Sequence, residues 1–347
     1  MYDLVVAGGG PAGAAAAIIA AKRGLSVVLI EKGGHNRQKP CGGLLPEVGA
    51  EAIEEVFGEG IPEAVFSSPR ELGLFYSPPS GPRNGGRMRN YRLLNLQRAP
   101  FDEWLRGRAE AAGAEVIYDS ALASFAAGDS VKCIINRGDV VSSLTSSYLI
   151  GADGVFSTVR RGLYGVRADV MRVVQETWEA PGGVDDLFYV FLDGRLTRTY
   201  GYMIPKGECV EIGLGVEGDA SEKMGMLRTL LSERLGVKLG KLVQCAGWAI
   251  PYGSIYKGAG NVLLAGDASG FCNPLSGEGI RLSIESGEAA GTAVADAAGG
   301  GDAVALYSRY VEQIDGLVRR VHEYSKDFTD EDREEFVRAE LQRVNLG

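Results

Sequence analysis

Six residues close to the start of the chain, Gly8-Gly9-Gly10-Pro11-Ala12-Gly13, restrict its fold more than any other stretch. Before them, residues 2–7 run apolar, which suits a strand buried on both faces in a parallel sheet. After them the sequence predicts a helix from about Pro11 to Arg23, with Gly24 where a helix-ending glycine belongs. Ser26 to Ile30 then reads as a second strand, completing a βαβ opening. Each glycine has a physical task. Gly8 permits the tight turn, Gly10 lets the backbone approach a pyrophosphate, and Gly13 allows the helix to lie close on the strand. The exposed N–H groups at the helix start, those of Ala12 and Gly13 behind Pro11, which itself has none, then face a diphosphate. Glu31, followed by Lys32, ends the second strand about 20 residues downstream, where a carboxylate accepts hydrogen bonds from a ribose diol. Strand, helix and acidic end together predict a bound dinucleotide, without separating NAD from FAD.

The rest of the composition narrows the partners. The 347 residues carry a net charge of -9, whereas a nucleic-acid surface needs clustered Lys and Arg, so no nucleic-acid partner is expected. The five cysteines (Cys41, Cys133, Cys209, Cys245, Cys272) include no C-x-x-C pair, and the two histidines, His35 and His322, are far apart in sequence. Neither a metal site nor a disulfide framework is expected. The apolar start is too short for a signal peptide, and no run reaches the roughly 20 apolar residues that span a bilayer. The expectation is a cytoplasmic protein, with peripheral contact of its C-terminal helices with a membrane left open.

Further along, helices are predicted over 46–57 and 98–112, and strands near 115–118, 131–136 and 148–150. Residues 77–90 (SPPSGPRNGGRMRN) read as a Pro/Gly loop. From about Arg167 to Ala246 the pattern changes. Segments 187–192, 198–204 and 210–216 are rich in aromatic and β-branched residues and predict antiparallel strands, with a helix over 224–235 among them. A buried strand at 262–265 and a helix from about Gly279 to Ala298 return to the first pattern, and the tail from Ala303 predicts two helices broken near Thr329-Asp330. The first domain is therefore expected to comprise 1–75, 98–166 and 247–302. The sheet domain takes 76–97 and 167–246, and C-terminal helices take 303–347.

Two more turns carry glycine beside an acid. Gly151-Ala152-Asp153-Gly154 follows one predicted strand, and Gly266-Asp267 follows another, with Gly277 and Gly279-Ile280 downstream. With these, the chain resembles the FAD-dependent flavoproteins of para-hydroxybenzoate hydroxylase type. That resemblance implies an α/β fold: a discontinuous Rossmann-type FAD-binding domain, an inserted antiparallel-sheet substrate domain and a C-terminal helical tail. It implies Asp267 on the ribose and ribityl side of FAD, and backbone from Gly277 to Ile280 at the flavin ring. A helix N-terminus near Gly279 would favour the reduced, anionic ring. Arg98, before Phe101-Asp102, resembles the flavin-contacting arginine that opens a helix in this family. Lys39-Pro40-Cys41-Gly42-Gly43 and Tyr200-Gly201-Tyr202-Met203-Ile204-Pro205 are, more closely, similar to the Cys-Gly loop and the aromatic-x-aromatic-x-x-Pro strand end of the geranylgeranyl reductase family.

That closer resemblance implies reduction of prenyl double bonds in a hydrophobic small molecule or lipid, by hydride from reduced flavin N5 and a proton from an acid. The acid candidates are Cys41, Tyr200 and Tyr202, of which the tyrosines also read as cavity wall and the cysteine as a small packed residue; Cys41 and Gly42 are further candidates at the cofactor. A redox pairing of Cys41 with Cys272 is conceivable, with Cys272 more simply a small packed residue. No second dinucleotide fingerprint is present, so the electron donor, NAD(P)H or ferredoxin, would bind transiently. The alternative is a flavin monooxygenase acting on an aromatic substrate. A halogenase would carry Trp at the positions of Tyr200 and Tyr202.

Overall fold

The computed structural model describes residues 1–345. Among them, two eight-stranded sheets carry eight helices. The opening unit is β1 (Tyr2–Ala7), α1 (Pro11–Lys22) and β2 (Val27–Ile30). β3 (Leu44–Pro46), α2 (Glu47–Phe57), β4 (Phe66–Ser77) and β5 (Gly86–Leu96) come next, then α3 (Arg98–Ala111) and β6 (Glu115–Ile117). A meander of β7 (Ala121–Ala127), β8 (Val131–Arg137) and β9 (Val140–Gly151) leads into α4 (Thr158–Tyr164). β10 (Val170–Glu179), β11 (Leu187–Phe191), β12 (Gly201–Lys206) and β13 (Cys209–Val216) precede α5 (Ala220–Leu235) and β14 (Leu242–Pro251). The chain ends with β15 (Gly258–Ala259), β16 (Val262–Leu264), α6 (Ile280–Ala297), α7 (Ala303–Lys326) and α8 (Asp330–Asn345). No helix among the described residues is long and apolar enough to cross a membrane.

The first sheet runs β15-β16-β9-β1-β2-β6, with β8 and β7 attached through β9. β2, β1, β9 and β16 pair in parallel, and the order reverses at β1, where β2 lies on one side and β9 on the other. Ligands of such sheets bind in the crevice outside the carboxyl ends of the strands at that reversal. The second sheet runs β14-β10-β13-β12-β11-β4-β5-β3. Its pairs are antiparallel except β4 with β11, which are parallel.

Helix α1 is almost all alanine, and nine of its residues are buried. Short side chains let it lie between the sheet and α6 on closely approaching backbones. A Cβ at Gly287 would overlap the Ala12 carbonyl oxygen, and one at Gly291 would come within 2.7 Å of that of Ala16. Gly13 is equally constrained, since a Cβ there would overlap the Gly8 carbonyl. Gly8 itself turns with φ +105°, a conformation few side chains tolerate.

The structure corrects the sequence reading in several places. Residues 86–90, read as part of a loop, begin β5, with Met88 buried between exposed Arg87 and Arg89. β4, β7, β10, β14 and α4 were not anticipated. β12 starts at Gly201 rather than Arg198. Because β4 and β14 pair in the second sheet, that sheet draws on residues before 76 and beyond 246.

The close α1–α6 approach generates a stability prediction. Gly287→Ala is expected to lower the unfolding free energy by about 1–3 kcal/mol, the cost of overpacking. Urea unfolding of the purified variant measures it, and an unchanged midpoint would show that the helices are not in this register.

Candidate active site

The carboxyl ends of β1, β2, β9 and β16 open into a cleft with about 970 Å³ of space, part of it open solvent. Its walls include Gly8, Gly10, Pro11 and Ala12 after β1, Glu31 and Lys32 after β2, Asp153 and Gly154 after β9, and Asp267 after β16. The three glycine-and-acid turns of the sequence therefore converge on one space. Gly10 differs from its neighbours. A Cβ there would meet nothing nearer than an Arg37 guanidinium nitrogen, 3.7 Å away, so no protein contact within that distance demands glycine. What a side chain would fill is the cleft beside the start of α1. That start has no side-chain cap, and neither do α2, α3 and, at Gly279, α6, whereas α4, α5 and α7 are capped by Ser157, Asp219 and Asp302. Uncapped helix N-termini hold free N–H donors and the positive end of a dipole, the chemistry of a diphosphate site.

Glu31 is buried, and its carboxylate is fixed by backbone: Gly9 N donates to Oε2 and Gly33 N to Oε1, each at 2.8 Å. Each oxygen keeps a second lone pair for a ribose hydroxyl. Asp153 accepts from Thr158 N and Val159 N through Oδ2, capping α4, while its Oδ1 is buried without a protein partner. Burial pushes this carboxyl above the ordinary range, although donors from Ser157, Val159 and Thr158 pull it down. Trp248 Nε1, whose ring packs against Phe156 at the edge of the same cleft, is likewise buried and unpartnered. Both suit a polar ligand.

Buried arginines fasten these turns together. Arg160 of α4 donates to Ala268 O at 2.7 Å and to Val155 O, tying the turn after β9 to the turn after β16. Arg106 of α3 donates to Gly9 O and His35 O, at 3.2 and 2.6 Å. Arg37 bridges Glu31 and Asp102, and Arg98 chelates the same Asp102 from one turn earlier in α3. Burial alone would lower the Arg98 pKa, but the Asp102 carboxylate and the neighbouring Cys41 hold it above its ordinary value. Lys39 pairs with Asp267 at 2.8 Å.

Cys41, Gly42, Gly266, Gly277, Gly279 and Ile280 do not wall the cleft: Gly266 lies against Ala12 and Ser283, while Gly42 and Gly277 approach Ile204 and Tyr200 at β12. Gly279 lies beside Asp267 and Cys272. Cys41 Sγ accepts from Gly43 N at 3.4 Å. Tyr200 donates its hydroxyl to Ser276 O at 2.5 Å, beside Gly277. Tyr202 lies flat over Gly213 and donates to Gln175 Oε1 at 2.8 Å. Burial raises both phenols well above their usual pKa, with Cys41 a smaller contributor to each. Cys272 is a free thiol close enough to feel Cys41, and burial pushes it up as well. The sequence reading missed Arg37, Lys39 and Arg106, whose partners lie up to 228 residues away, and Trp248.

A family model described as an FAD binding domain matches residues 1–180. A geranylgeranyl diphosphate reductase of Rhodobacter capsulatus is 31% identical over 309 residues, covering 84% of this chain and 74% of that protein.

The chain belongs to the geranylgeranyl reductase family of FAD-dependent oxidoreductases.

The fold agrees. A geranylgeranyl bacteriochlorophyll reductase-like protein from Thermoplasma acidophilum overlays with a TM-score of 0.85 at 23% identity, covering 97% of this chain and 90% of that one. Aklavinone-11 hydroxylase, solved with FAD and aklavinone, overlays with a TM-score of 0.66 at 18% identity, covering 86% and 63%. At these identities the likeness is one of fold, shared by reductases and hydroxylases alike. For this reductase-family chain, the room at Gly10, the orphaned Asp153 oxygen and the uncapped starts of α1 and α6 fit FAD.

Gly10→Ala is accordingly expected to leave apoprotein stability unchanged and to weaken FAD binding by about tenfold or more, roughly 1.4 kcal/mol. Fluorescence titration of the apoprotein with FAD measures it; an unchanged Kd would place the diphosphate elsewhere.

Proposed function

We propose that this oxidoreductase reduces carbon–carbon double bonds of a prenyl chain carried by a lipid or quinone. The observation that carries the reading is the apolar wall that begins at Tyr200. Phe188 packs edge-on against Tyr200, and Tyr76, Leu275, Phe336 and Leu341 join the same cluster with the residues beneath them, closed over by α8. A wall of this kind suits an aliphatic chain and excludes water from the reacting bond. The R. capsulatus relative, by its name, reduces a geranylgeranyl substrate. An aromatic hydroxylase remains the second reading, favoured only by the fold shared with aklavinone-11 hydroxylase.

In this reading the first N–H groups of α1 hold the FAD diphosphate, Glu31 the adenosine ribose, and Asp267 the ribityl side. Gly277 to Ile280, with the start of α6, bound the flavin ring, which supplies hydride when reduced. Asp267 exchanges its Lys39 contact for a ligand hydroxyl or shares the two. Arg98, fixed by Asp102, presents a permanent positive charge beside Cys41. Cys41 Sγ faces two donors, Gly43 N and Arg98, which suits an acceptor sulfur. Tyr200 and Tyr202 have already committed their protons to protein acceptors. We therefore assign Cys41, Tyr200 and Tyr202 to shaping the cavity. An external nicotinamide or ferredoxin resupplies electrons.

The experiment is an anaerobic single turnover. The FAD-loaded protein is reduced, then mixed either with a prenyl lipid or with oxygen and a small phenol. Oxidation of the flavin by the lipid alone supports the reductase; a hydroxylated phenol without lipid-dependent oxidation supports the monooxygenase. Tyr200→Phe and Tyr202→Phe are expected to keep the lipid-dependent rate within about tenfold, since a general acid contributes about 10²–10⁴-fold. A loss of a hundredfold or more in either would return the acid role to that phenol.

A further inference from the structure

Reducing an alkene consumes a proton, and on the reading above the cysteine and the two tyrosines of the cavity do not provide it. Strand β13 carries one charged residue among apolar residues and glycines, Glu211 in Val210-Glu211-Ile212-Gly213-Leu214. Val210, Ile212 and Leu214 enter the core shared with α5. Alternation places Glu211 on the other face. There it stands opposite Ile204 of β12 and Thr177 of β10, and residues so paired share a face. Ile204 abuts Gly42. Glu211 thus belongs to the face that meets the Cys41-Gly42 turn, one row from Tyr202, which pairs with Gly213.

The carboxyl is built unlike the others at this site. Glu31, Asp153 and Asp267 each hold backbone or lysine donors on at least one oxygen, whereas Glu211 Oε2 is buried without a partner and no donor among the described residues is seen on the carboxyl. The groups facing it are Lys206 and Tyr202 from β12 and Gln175 from β10, with Cys41 and Arg98 acting beyond Lys206. Lys206 does not chelate it; its ammonium donates to Asn95 Oδ1 at 2.6 Å and to Leu96 O at 2.9 Å. Burial raises the Glu211 pKa and Lys206 lowers it, with burial the larger. The residue is half-buried, and a carboxyl oxygen buried without a donor favours the neutral form.

We propose that Glu211 is the general acid of this site, giving its proton to the alkene carbon that does not receive hydride. The inference rests on the prenyl reductase reading. One carbon gains the hydride supplied by reduced flavin, and the alkene π pair forms the second C–H bond with the Glu211 proton. The double bond becomes single, the flavin is left oxidised, and Glu211 is left as a carboxylate beside the Lys206 ammonium. Water reprotonates the carboxylate, and a nicotinamide or ferredoxin donor returns two electrons. Because the neutral form prevails below the raised pKa, the lipid-dependent rate falls as pH rises through it.

Two measurements on the FAD-loaded protein test this. Infrared difference spectra of wild type against Glu211→Gln at neutral pH should show a protonated carboxyl C=O band that the variant lacks; an ionised carboxylate band there overturns the proposal whatever the substrate. In single turnover with the prenyl lipid, Glu211→Gln should lose about a hundredfold or more. Glu211→Asp should recover part of the rate, FAD affinity should be unchanged, and the alkaline limb of the wild-type pH profile should vanish in Glu211→Gln. A Glu211→Gln rate equal to wild type overturns the role. A wild type that ignores the lipid while showing the protonated band removes the prenyl reading, and the acid role with it, but leaves the neutral carboxyl standing.

Discussion

The structure depends on the closeness of two helix backbones. Gly287 and Gly291 of α6 leave no side chain between that helix and the carbonyls of Ala12 and Ala16 in α1. Ordinary helix pairs lie 8–10 Å apart on interleaved side chains. Here alanine and glycine remove the spacers, so the starts of α1 and α6 are brought towards one crevice at the carboxyl edge of the sheet. Both starts lack side-chain caps, so their N–H groups and dipoles are left for a ligand. Gly266, whose Cβ would come within 2.8 Å of Ala12 Cβ, brings the turn after β16 to the same place.

Around that crevice, positive charge is used to hold backbone and carboxylates in position. Arg160, Arg106, Arg98 and Arg37 are each committed to carbonyls or acids of the surrounding turns. A guanidinium cannot give up its proton, so these contacts persist at any physiological pH. The second sheet meets this rigid frame with a different chemistry. Its facing side is aromatic and aliphatic from Tyr200 outward and carries a small set of half-buried titratable groups, Lys206, Glu211 and Tyr202, near Cys41. On the proposed reading binding and reaction are thereby separated: the first sheet grips, and the second surrounds the reacting bond.

The parts legible in sequence were those whose signal is local. The βαβ opening showed itself because glycine spacing, an alanine-rich helix and an acid at a strand end lie within 31 residues. Glycine beside acid after a buried strand marked Asp153 and Asp267 for the same reason. β5 was hidden because its exposed face is Arg87, Arg89 and Arg92, which with Gly and Asn imitates a loop. β10 and β14 pair across about 70 residues, and no short-range feature announces that pairing. Arg37 and Arg106 gave no signal, since an arginine on paper does not reveal whether its partner is water or a buried carbonyl. Glu211 did carry one: a single acid inside an apolar strand is costly unless the site uses it.

The central claim is that three glycine-and-acid turns and two bare helix starts form one FAD site. Equilibrium titration of the apoprotein with FAD, followed by flavin fluorescence and absorbance, tests it most directly. The account predicts saturable binding of one FAD per chain. A folded apoprotein that takes up no FAD would contradict it.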